Sequence, residues 1–227
     1  MRTIEELVNP VLDSELYKKE FETLRVKGLA SEYHRGDLIR EVAMRDILDE
    51  LEKIDDLPEG PIFEYGPSTV VLRCGLPQHQ EFIVKNWPEV DCMREDFPKE
   101  SLSVIISDFT MEHIAKPWKA VESAYNMLKP GGLMICTTHW VFLDHTGEQE
   151  EDYWRFSPKG LRVLFEDFSI VASGCWGNSH LTCEILRQYA EGSQGVMIED
   201  IPSVFDEEIL NARDRIYATT SWIVVRK

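Results

Sequence analysis

A doubly wound α/β fold with a mostly parallel sheet is predicted by three features of this 227-residue chain. Apolar runs of strand length alternate with segments of helical spacing, and proline or glycine sits where one gives way to the other. The length suits one α/β domain with a helical embellishment, and no internal repeat breaks the order. Residues 1–57 are expected to form an N-terminal helical segment, and residues 58–227 the sheet domain.

Leu38, Ile39, Val42, Ala43, Ile47, Leu48, Leu51 and Ile54 recur at intervals of three and four, the period of an amphipathic helix, so residues 1–57 read as helical. Pro58, Gly60 and Pro61 break that helix, and residues 62–65 read as the first, buried strand, ended by Gly66 and Pro67. Apolar runs at 81–86, 90–94, 104–107 and 133–138 have strand length. Residues 118–128 have helical spacing behind Pro117, whose fixed φ suits a first helical turn. Ser157 and Pro158 open a further helix, 168–176 and 220–226 read as strands, and the acidic stretch 180–215 forms a mainly helical insert before the last strand.

Composition narrows the function classes. With 24 Lys+Arg against 41 Asp+Glu the net charge is −17, and no basic run interrupts it, so a phosphate backbone would be repelled and a nucleic-acid partner is not expected. No apolar run approaches the ~20 residues of a membrane span, so no membrane partner is expected. Five cysteines without a CxxC pair fit a reducing, cytoplasmic setting. No HExxH-like spacing marks a metal site, and none is expected.

In an open α/β sheet, ligands lie outside the carboxyl ends of the strands, so the loops leaving strands hold the candidates. The first is Glu64-Tyr65-Gly66-Pro67-Ser68, an acid before a glycine turn. Asn86 and Trp87 end the second run, Glu95 follows the third, and Asp108-Phe109 with Met111-Glu112-His113 leaves the fourth. Leu128-Lys129-Pro130-Gly131-Gly132 then leads into the fifth.

From about residue 60 to 176 this series resembles the class I S-adenosylmethionine-dependent methyltransferases of small-molecule type, whose fold is a Rossmann-like doubly wound sheet. The resemblance implies S-adenosylmethionine as cofactor. It places Glu64, Tyr65, Gly66 and Ser68 against the methionine moiety, Asn86 at the ribose, Trp87 and Glu95 at the adenine, and Asp108 and Phe109 at the methionine and sulfonium region, with His113 also among the cofactor-binding residues. Two positions depart from the family pattern: Ser68 stands where a second glycine is usual, adding a Cβ, and Asn86 replaces an acid, keeping hydrogen bonds without charge. Trp87 suits either adenine stacking or core packing.

Beyond the fifth strand, His139, Trp140, Phe142, Asp144 and His145 precede Asp152-Tyr153-Trp154-Arg155-Phe156, dense in aromatic and titratable groups. Methyl transfer from a sulfonium needs alignment and exclusion of water, and a base where the acceptor must lose a proton. His139, directly after a central strand, is the first candidate base, ahead of His113 and His145. Tyr153 and Arg155 complete the candidate catalytic set, with Arg155 open to either a substrate or an ion-pair role. The expected partner is a small-molecule acceptor, with a homodimer left open. The alternative is a catalytically inactive, methyltransferase-like binding or scaffold protein, which Ser68 and Asn86 would suit.

Overall fold

The computed structural model describes residues 15, 18, 19, 22, 38–66, 70–144, 151–192 and 217–227. Helix α1 (Leu38–Leu51) leads to strand β1 (Ile62–Tyr65), and α2 (Val70–Cys74) to β2 (Phe82–Lys85). Strand β3 (Leu102–Asp108) runs through a 3-10 turn (Met111–His113) into α3 (Pro117–Met127) and β4 (Leu128–His139). Helix α4 (Pro158–Leu164), β5 (Ser169–Trp176), α5 (Ser179–Ala190) and β6 (Thr220–Arg226) follow.

The six strands form one sheet in the order β2-β1-β3-β4-β6-β5. Only β6 runs against its neighbours, pairing antiparallel with β4 and β5. The chain steps from β1 outward to β2 and then back across to β3, so strand order reverses between β1 and β3, where a doubly wound sheet opens its crevice.

Each face of the sheet buries alternate residues, as the two-residue period of a strand requires. Ile62, Val104, Ile106, Leu133 and Ile135 pack with Ala43, Met44, Ile47, Leu48 and Leu51 of α1. Phe63, Ile105, Met134 and Cys136 pack with Ala120, Val121, Ala124 and Met127 of α3 and Leu161 of α4. Every residue of β3 is buried, as expected of a central strand covered on both sides. Local caps agree with the pattern: Ser157 accepts a hydrogen bond from the Gly160 amide at α4, and Asn178 from the Leu181 amide at α5.

Three expectations need correction or restriction. Residues 90–94 form a turn, not a strand. The Asp91 carboxylate accepts from the Met93 amide and from Arg94 Nε, while its own amide donates to Asp96, so local side-chain bonds satisfy backbone that a strand would pair with a neighbour. The helix read as reaching residue 57 stops at Leu51, although Ile54 and Leu57 still pack against the core as non-helical chain. Of the predicted helical insert, α5 is present and 193–216 lie outside the described residues. Among the described residues, no helix is long and apolar enough to cross a membrane.

Candidate active site

The loops after β1, β2 and β3 meet at the carboxyl edge of the sheet. Gly66 has φ +90°, a left-handed conformation that glycine adopts without strain. A Cβ there would stand 3.6 Å from Asn86 Oδ1 and 3.7 Å from Thr110 Oγ1, so any longer side chain would enter the space where the three loops converge. Glu64 and Tyr65, just before it, are 1% and 4% exposed. Burial pushes the Tyr65 hydroxyl far above its ordinary range, so it stays neutral.

Phe109 is the one described non-glycine residue at this edge with positive φ, +43°. A bulky side chain rarely adopts that conformation, and here the surroundings over-determine it. Its amide donates to both the carbonyl and the hydroxyl of Thr137, the Thr137 hydroxyl in turn donates to the Asp108 carboxylate, and its ring lies 4.5 Å from that of His139.

His139 ends β4 and is 6% exposed. Its ring stacks on Phe142 at 4.0 Å with planes 7° apart, and Tyr189 of α5 meets the same Phe142 edge-on at 4.9 Å. Glu112, wholly buried in the 3-10 turn, accepts from the Thr138 hydroxyl at 2.9 Å through Oε2 and holds Oε1 3.8 Å from His139 Nε2. Burial pushes the Glu112 carboxyl up to about 7, against the lowering effect of backbone and Thr138 hydrogen bonds and the neighbouring His113.

The loop 151–156 is stitched over this pair. The amides of Tyr153 and Trp154 donate to the Glu112 carbonyl, and the Phe156 amide donates to the His139 carbonyl. Arg155 fastens the loop: Nε donates to Phe142 O, NH1 to Trp154 O and to the Asp152 carboxylate, and NH2 to Leu143 O and to the other Asp152 oxygen. All five guanidinium donors are thereby engaged, which fits the ion-pair role for Arg155. We expect Arg155→Lys, which cannot reproduce the fork, to speed amide exchange at Trp140 and Val141 by about tenfold or more, since a charge-assisted bond contributes ~1.5–3 kcal/mol. Hydrogen exchange read by mass spectrometry checks this, and unchanged exchange would mean that the Thr219 and Ala218 carbonyls alone hold those amides.

The remaining predicted residues are spread more widely. Asn86 and Trp87 are exposed at the end of β2, Trp87 at 71%. Glu95 lies at the opposite edge: its carboxylate accepts from Asn126 in the last turn of α3, where the chain enters β4. His113 points into the crossing loop, with Nδ1 3.0 Å from Glu151 O. Tyr153 is 44% exposed beside Glu112. Ser68 and His145 lie outside the described residues. Sequence reasoning passed over Glu112, whose signal was an acid set between Met111 and Ile114, both of which are buried.

Residues 75–136 match the family described as a methyltransferase domain. No curated protein matches the sequence. Among solved structures, the selenomethionine-substituted carbon methyltransferase CurJ superimposes with a TM-score of 0.50 at 11% identity, over 93% of this chain and 59% of that one. A SAM-dependent methyltransferase from Archaeoglobus fulgidus reaches 0.47 at 11% identity, over 83% and 94% of the two chains. One from Mesorhizobium loti reaches 0.46 at 11% identity, over 82% and 98%.

Proposed function

We propose that this chain is a class I S-adenosylmethionine-dependent methyltransferase that moves the methyl group to a small-molecule acceptor with His139 as general base. The observation that carries the reading is the seat of His139: buried at the carboxyl edge, where β4 ends, and held between Phe109 and Phe142.

The residues at that edge fit the cofactor. A Cβ on Gly66 would take up the space against Asn86 Oδ1 and Thr110 Oγ1, at 3.6 and 3.7 Å, and the bare glycine leaves that space to a ligand approaching the backbone. Glu64 and the Gly66 turn would hold the methionine end, Asn86 the ribose hydroxyls, and Asp108 with the Phe109 ring the neighbourhood of the sulfonium, where an aromatic face attracts positive charge. Bound there, the cofactor supplies an activated methyl group for in-line displacement. The protein's own part is alignment, exclusion of water by the 151–156 loop, and removal of the acceptor's proton.

An acceptor that gives up a proton, a hydroxyl or an amine, matches a buried imidazole better than one that does not. The net charge of −17 favours neutral or cationic acceptors over anionic ones. The five cysteines without a CxxC pair support a reducing, cytoplasmic setting.

Calorimetric titration with S-adenosylmethionine and S-adenosylhomocysteine tests the cofactor half. Wild type is expected to bind in the micromolar range, and Gly66→Arg to lose about 100-fold or more, a loss of ~2.7 kcal/mol or more. Release of S-adenosylhomocysteine across a panel of hydroxyl and amine acceptors tests the other half. Failure of folded wild type to bind either ligand would overturn the reading and leave the catalytically inactive binding module in its place.

A further inference from the structure

We propose that Glu112 is the positioning residue of His139: the two titrate as a pair across a buried contact, and the carboxylate orients the imidazole and stabilises its charged form. This rests on His139 being the base. Glu112 is fixed at three points, by the Thr138 hydroxyl on Oε2 and by two loop amides on its carbonyl. Among the described residues Oε1 has no hydrogen-bond partner, and it faces Nε2 of His139 at 3.8 Å.

A wholly buried carboxylate with one oxygen unsatisfied is expensive to keep, and an amide or an apolar side chain would fill the same space at lower cost. The arrangement is intelligible if the oxygen is completed by an imidazole N–H. The ring cannot turn freely, because Phe142 lies parallel to it and Phe109 packs beside it. With Nε2–H held toward Glu112, the carboxylate sets the tautomer of the imidazole as well as its orientation. The imidazolium is stabilised by the ionised carboxylate, as in other base–carboxylate pairs.

The charged and titratable groups around Glu112 come from every neighbouring element. Asp108 at the end of β3 favours its protonated form, and His113 in its own turn favours the ionised form. Cys136 of β4, its thiol kept neutral by burial, Arg155 of the crossing loop and His139 are the others among the described residues. A carboxyl raised to about 7 by burial beside an imidazole makes a pair that titrates as a unit near neutrality. The base form is the doubly deprotonated one, so turnover rises as pH rises through the pair's upper midpoint.

Glu112→Gln tests this because it keeps shape and a bond to Thr138 while removing the charge. The His139 titration midpoint, read by NMR of its ring carbons, is expected to fall by about 1–3 units, the shift an opposite charge at this distance produces. The rising limb of kcat against pH moves the same way, and kcat falls at least ~10-fold with the cofactor KM unchanged. Glu112→Asp, with its charge drawn back by one methylene, falls between the two. By reciprocity, infrared titration of Glu112 in His139→Gln shows its carboxyl midpoint raised, which keeps the test open should Glu112→Gln fail to fold.

A His139 midpoint unchanged in folded Glu112→Gln, or a Glu112 midpoint unchanged in His139→Gln, overturns the pairing. The midpoints need no turnover, so a shifted midpoint in a protein that methylates nothing supports the pairing while the methyl-transfer reading fails.

Discussion

His139→Gln is expected to lower kcat by ~10²- to 10⁴-fold, the usual contribution of a positioned general base, while S-adenosylhomocysteine binding stays within about a factor of two. Glutamine is close to histidine in size, can still donate toward Glu112, and cannot take up a proton near neutral pH. The loss should therefore fall on kcat and on kcat/KM for the acceptor, and not on cofactor affinity. His139 is almost fully buried and its carbonyl holds the Phe156 amide, so a main-chain role survives the substitution and separates from the side-chain role. Steady-state kinetics with a matched acceptor, together with calorimetry, checks it. Retained turnover would remove His139 as the base and leave alignment alone as the means of catalysis.

Phe63→Ala is expected to cost ~3–5 kcal/mol of stability, the range for emptying a fully buried aromatic site. Phe63 is 0% exposed on β1, with the rings of Tyr65 and Phe97 at 4.5 and 4.6 Å. The neighbours that would have to collapse into the space belong to the sheet itself and to the 90–97 turn, so little relaxation is available. For a chain of this size about 2–4 °C of Tm accompanies each kcal/mol, so thermal denaturation should show a fall of roughly 6–20 °C. Because β1 also carries Glu64 and Tyr65 and leads directly to Gly66, cofactor affinity should weaken with it. A change below ~1 kcal/mol would mean that β1 is not integral to the core.

Much of the architecture was legible because it depends on local pattern. Strand-length apolar runs marked β1, β2, β3, β5 and β6 to within a few residues and the later part of β4, whose first five residues lay outside the run, and Pro117 and Ser157 marked the helix starts. The run at 90–94 misled because Val90, Cys92 and Met93 do pack against the sheet, but as a turn tied by Asp91. Apolar character reports burial, and burial does not distinguish a strand from a compact turn with its own side-chain caps.

The candidate site divides along the same line. The order Glu64, Gly66, Asn86, Asp108, His139 follows the strand ends of one doubly wound sheet, so the alternation of elements was enough to bring those positions to a common edge. Glu95 lacks such a strand and is drawn to the opposite edge by Asn126. The five engaged donors of Arg155 and the approach of Glu112 to His139 join residues 12, 13 and 27 positions apart through separate loops. The sequence by itself determined the sheet, its two buried faces and the edge where ligands gather, because those follow from periodicity and chain order. Only the tertiary structure decided which titratable groups meet there, because distances of a few ångströms between distant loops depend on packing that no local pattern encodes.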